Sequence, residues 1–179
     1  SNGNVATSTV GFNNYSPTNY QWEAEDYDYS SNGVSGLFFD NLQVGSYAGL
    51  AGTAGIDFLV DDSGAFSRGY SYRATNGFPD TVANDEARSQ FTAGKTDYSI
   101  GSFGGGSWAN YTRNYPAGTY NVVGRFAEGA GAADITLSQV TGGYGTSNQV
   151  ASALGTFVVP LGGWSTWGFV TLTDGSGNP

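Results

Sequence analysis

The sequence contains no cysteine, methionine or histidine, and a single lysine among 179 residues. Without Cys there is neither a disulfide nor thiol chemistry, and the redox compartment leaves no mark. Without His, serine–histidine hydrolysis is excluded. Charge is scarce at 12%, and five Arg and one Lys face fifteen acids for a net charge of −9. No basic stripe is available for phosphates, which argues against nucleic acid as a partner. No run of 18 apolar residues is present, so membrane insertion through a helix is not expected. The opening SNGNVATSTV lacks the basic-then-apolar layout of a signal peptide, as in a mature or excised domain.

What the chain has instead is glycine, 29 residues of it, and 27 Phe, Tyr and Trp. Many turns, bulky flat side chains and few charges describe an all-β sandwich better than a helical protein or a disordered one. The length suits one domain with a full core. Low Lys with abundant Tyr, Thr, Ser, Asn and Gly matches the composition of bacterial surface and secreted β-proteins, so an extracellular location is expected.

Residues 1–19 carry Asn, Ser and Thr without period and read as a linker or leader; a body spans 20–179. YQWEAEDYDY (20–29) alternates, which predicts a strand with Glu23 and Glu25 on one face. GIDFLVDD (55–62) and RGYSYRA (68–74) read as further strands. Residues 75–95 are turn-rich, with room for a helical turn over 84–90. WANYTRNYPAGTYNVVGRFAEG (108–129) reads as a hairpin about Pro116–Gly118, with Tyr120, Val122 and Phe126 on one face. DITLSQV (134–140), ALGTFVVP (153–160) and WGFVTL (167–172) complete a series of short strands, which predicts a two-sheet sandwich or jelly roll. The closing DGSGNP is a turn signal with no strand after it, as if the domain were cut short or completed by another chain.

Two aromatic residues stand in Gly-rich turns beside strand-like runs: Tyr98 in DYSIGSFGGGSWANYT (97–112) and Trp164 in LGTFVVPLGGWSTW (154–167). A sugar ring offers a flat apolar face of C–H bonds, and a Tyr and a Trp a few ångströms apart can sandwich it. Aromatic residues at strand ends are also often core, and the spacing alone leaves both readings open. Stacking adds about 0.5–1.5 kcal/mol beyond area burial, which suits weak, micromolar-to-millimolar sugar binding.

WEAEDYD (22–28), DYSIGSFGGGSWANYTRNYPAGTYNVVGRFA (97–127), TLSQVTGGYGTSNQ (136–149), LGTFVVPLGGWSTW (154–167) and VTLTDGSGNP (170–179), in that order, resemble family 6 carbohydrate-binding modules. The resemblance covers most of 20–179, least well between 33 and 90. It implies a non-catalytic jelly roll of the galactose-binding-like type that holds β-glucan- or xylan-like chains between a loop Tyr and a loop Trp. Tyr98 and Trp164 match those positions. It also implies a structural calcium, with Glu23 and Glu25 matching the first part of its site. The family's last strands, its remaining calcium ligand and an Asn that contacts sugar would lie beyond Pro179, so the module reads as C-terminally incomplete.

Other features carry blander expectations. Trp108 and Trp167 read as core, and Tyr111, Arg113 and Tyr115 as a cation–aromatic packing strip. Asp57, Asp61 and Asp62 read as a solvated edge, with a second cation site as the alternative. A glycosidase would need two facing carboxylates, which sequence does not show. SFGGGSW and TGGYG lack the Lys and following helix of a phosphate loop. Asn14 and Asn110 head glycosylation triplets. The main alternative to sugar binding is a structural subunit of an extracellular filament, sheath or adhesin, with strands completed by a neighbouring chain.

Overall fold

A computed structural model describes residues 20, 22–30, 47–59, 72–73, 80–82, 98–101 and 103–179. Eight strands occur among them: β1 (Phe58–Leu59), β2 (Asp80–Val82), β3 (Ser99–Gly101), β4 (Trp108–Ala109), β5 (Val123–Phe126), β6 (Ala133–Gly142), β7 (Val150–Val159) and β8 (Gly168–Thr171). No helix is found among the described residues, so none there is long and apolar enough to cross a membrane. The strands pair antiparallel as β1–β4, β2–β3, β5–β8 and β6–β7, which makes the described chain all-β.

The β6–β7 hairpin is the longest element, and its alternation explains it. Ala133, Ile135 and Leu137 pair with Val159, Phe157 and Gly155, which places one apolar row on one face. Phe157 and Val159 are buried, and the Phe157 ring packs on Phe126 of β5 with centroids 5.0 Å apart. Thr156 and Thr173 exchange both backbone hydrogen bonds, at 2.8 and 3.0 Å, and so tie β7 to the end of β8. Gly155 permits that approach, since a Cβ there would lie 2.6 Å from the Thr173 carbonyl oxygen.

A second apolar centre joins Tyr27 and Phe58, with Ile100, Ala109 and Tyr111 packed around them. Its surroundings are charged. The Arg73 guanidinium is buried at 3% exposure and lies 3.9 Å over the Tyr27 ring. It donates to the carbonyls of Glu25 (3.1 Å), Tyr27 (2.6 Å) and Asp28 (3.3 Å), and through Nε to that of Leu50. Arg113 donates to the Asp26 carbonyl and sits 3.8 Å from the Asp28 carboxylate. Two buried arginines thus supply donors that a sheet neighbour would otherwise give the 25–28 backbone.

Several expected elements are corrected. The 20–29 alternation does not produce a strand in 22–29: the Asp26 N–H donates to the Glu23 carbonyl at 3.1 Å, closing a turn. Four consecutive residues, Glu25 to Asp28, are buried, which alternation on a half-buried strand would not allow. The 108–129 segment does not pair with itself as a hairpin, because its backbone bonds are spent elsewhere. Asn110 bonds Asp28 and Asp57, Thr112 donates to the Asp28 carboxylate, and Val122 accepts from Leu172. The 55–62 strand is described only as far as Leu59, where it shrinks to β1; β2 falls in a segment read as turns. Residues 1–19 and 84–90 lie outside the described residues.

Candidate functional site

Trp164 is placed by two loops that meet at Glu128. The N–H groups of Gly162 and Gly163 both donate to the Glu128 carbonyl, at 3.0 and 2.9 Å. The Thr166 N–H then donates to the Gly163 carbonyl, closing a four-residue turn with Trp164 at its second position. Gly163 and Ser165 on either side both have positive φ, 106° and 58°. The Glu128 carboxylate folds over its own loop and accepts from the N–H groups of Ala130 (2.6 Å) and Gly131 (3.2 Å).

The indole comes down on Gly129, and a Cβ at that glycine would lie 2.3–2.5 Å from the ring atoms. The 161–166 loop therefore carries a tryptophan seated on backbone, yet 76% exposed. A Trp of this exposure has a large apolar area left in water, which costs free energy until a flat partner covers it. Leu161 in the same loop is also exposed, as are Ser165 and Thr166, the two hydroxyl-bearing residues that follow Trp164.

Tyr98 sits differently. It is half-buried just before β3 and stacks on Tyr72, with centroids 4.7 Å apart and planes 27° from parallel. Tyr72 is itself fixed, donating its O–H to the Asp26 carboxylate and accepting from the Tyr47 N–H at 3.1 Å. Tyr98 and Trp164 each rest on a different support, and their rings do not pack on each other.

Glu23 and Glu25 are buried, at 8% and 3% exposure, rather than displayed on an open strand face. Glu23 acts electrostatically on Arg125, whose guanidinium is pushed down by burial and held up by that carboxylate. Among the described residues no three His, Cys, Asp or Glu side chains come together to hold a metal ion. A calcium shell needs six to eight oxygens, more than Glu23 and Glu25 supply by themselves.

Asp57 is not on a solvated edge. It is 1% exposed, and its Oδ2 accepts from the Ser30 hydroxyl (2.6 Å) and the Thr53 N–H (2.7 Å), closing the 53–57 turn. Asp61 and Asp62 lie outside the described residues. The aromatic strip runs through Trp22, whose ring centroid lies 6.1 Å from those of both Tyr111 and Tyr115; Arg113 lies 5.7 Å from the Tyr111 ring, and Tyr115 also packs with Tyr20 and Tyr120. Trp108 and Trp167 are half-buried rather than core, the latter 5.3 Å from the Arg125 guanidinium.

Sequence reasoning missed the network around Asp26, Asp28, Arg73 and Arg113. Burial pushes both aspartates up, against the opposing pull of Tyr72 and Arg73 at Asp26 and of Thr112 and Arg113 at Asp28. Nothing local marks Arg73, because its four acceptors lie 23 to 48 residues away. Reasoning also missed Glu128 and Gly129, although EGAG (128–131), between β5 and β6, was a usable signal for close backbone approach. No protein-family model matches the chain, and the searches of curated proteins and of solved structures likewise gave no match.

Proposed function

We propose that this chain is a non-catalytic carbohydrate-binding module, of the family 6 kind that its motifs resemble, and that it keeps a larger secreted protein on β-glucan- or xylan-like polysaccharide. One observation carries the reading: Trp164 is held flat on Gly129 with most of its surface in water. A fixed, exposed indole suits the apolar face of a pyranose, and the hydroxyls of Ser165 and Thr166 suit its polar rim. Tyr98, supported from behind by Tyr72, is the second ring of the proposed site.

Covering one face of the indole removes on the order of 100 Å² of apolar area from water, which contributes about 2–3 kcal/mol. Trp164→Ala should therefore weaken retardation in xylan or hydroxyethylcellulose affinity gels by roughly 30- to 150-fold, with the β-type circular dichroism intact. Undiminished retardation would remove Trp164 from the site and end this reading.

A second reading, a structural subunit of an extracellular assembly, has its own supporting observation. Val123 and Phe169 share one face of β5–β8 by register, and they are 54% and 77% exposed. Exposed apolar side chains on a sheet face suit contact with another copy. An assembly that persists on dilution, and that Phe169→Ser disperses, would favour it; a monomer at all concentrations would discard it.

A further inference from the structure

We infer that Glu128 and Gly129 are the positioning residues of the Trp164 platform, which is built before any sugar arrives and presents one working face. The inference rests on the sugar-binding reading above and adds how the site is made. Gly129 closes off one face of the indole at a distance no side chain tolerates, since even a methyl group would fall 2.3–2.5 Å from Cδ2, Cε2 and Cγ. A larger residue there must lift the ring or move the loop.

Glu128 fixes that seat from both sides of the peptide. Its carbonyl oxygen takes the N–H groups of Gly162 and Gly163, immediately before Trp164. Its carboxylate takes the N–H groups of Ala130 and Gly131, immediately after Gly129. The platform loop and the seat loop are thus held through a single residue. Immobilising a side chain on binding costs conformational entropy, a cost already met where the ring is pre-seated. The carbonyl bonds survive any side-chain change, so the carboxylate is the part that mutation can isolate.

The test reads the seat without ligand and then with it. Protons beneath an indole face are shielded, so the Gly129 Hα resonances of the free protein should lie upfield of ordinary glycine values. Glu128→Ala should move them back toward those values and weaken retardation on xylan or hydroxyethylcellulose gels at least fivefold. Glu128→Gln, which keeps an acceptor oxygen, should restore both. Gly129→Ala should weaken retardation at least tenfold while the β-type circular dichroism is kept. Unshifted Gly129 Hα resonances in the parent chain would overturn the inference. So would a Glu128→Ala variant that keeps both the shift and the retardation. If Trp164→Ala abolishes retardation while Gly129→Ala and Glu128→Ala leave it intact, the sugar site stands and the positioning role falls. Full retardation by Trp164→Ala overturns both.

Discussion

Replacing Arg73 with methionine should be among the most damaging single changes to the fold. The side chain is of similar length, so the perturbation is the loss of a planar, charged donor set rather than of volume. Four backbone carbonyls, those of Glu25, Tyr27, Asp28 and Leu50, lose their guanidinium donor at once. A buried acceptor left unmade costs about 1–3 kcal/mol, and breaking a buried charged network from one side costs about 3–5 kcal/mol. The four losses overlap, because a relaxed loop readmits water, so about 4 kcal/mol is the working figure. Set against a total stability of about 5–15 kcal/mol, that is a large share. With a urea slope near 2 kcal/mol/M, the unfolding midpoint followed by tryptophan fluorescence should fall by about 2 M. Arg73→Lys should lie between, since an ammonium group serves one or two of the four acceptors and cannot lie flat on Tyr27. A midpoint for Arg73→Met within about 0.5 M of the parent would refute the claim that this arginine organises the 25–28 segment.

Asp28, raised by burial, binds its proton in the folded state before the unfolded chain does, so its contribution improves as pH falls through the folded value and is complete near the unfolded value of ~3.9. The parent chain should therefore gain stability over Asp28→Asn between pH 7.5 and 4.5 in urea titrations; a constant or opposite difference would contradict the assigned direction. Gly155→Ala should cost about 1–3 kcal/mol, because its methyl group meets the Thr173 carbonyl oxygen at 2.6 Å. Hydrogen exchange should speed at the Thr156 and Thr173 amides while the β6–β7 ladder keeps its protection, and unchanged exchange at those two amides would show that the bridge tolerates the methyl.

Legibility followed the range of the interactions. The 134–140 and 153–160 runs alternate, their partners are close in sequence, and they emerge as β6 and β7 within a few residues of the expected bounds. The 108–129 run alternates just as well, yet its two halves go to different partners. Asn110 and Thr112 bond to Asp28, and β5 to β8. Alternation reports that a strand has two faces, and says nothing about which strand lies beside it. The EAEDYD segment misled for a related reason: a period of two was read as a strand with Glu23 and Glu25 on one face, whereas Arg73 and Arg113 from elsewhere allow four consecutive residues, 25 to 28, to be buried.

From its residues alone, this chain was bound to be β-structured, poor in charge, without thiol or imidazole chemistry, and to carry a tryptophan in a Gly-Gly turn at a strand end. Those properties follow from composition and short-range periodicity, which act within a few residues of backbone. Tertiary structure alone decided that Trp164 rests on Gly129, that Tyr98 rests on Tyr72, and that Arg73 fills the hydrogen-bonding needs of the 25–28 backbone. Each of those contacts joins residues at least 26 positions apart, and only closure of the whole chain brings such partners within the few ångströms over which stacking and hydrogen bonds act.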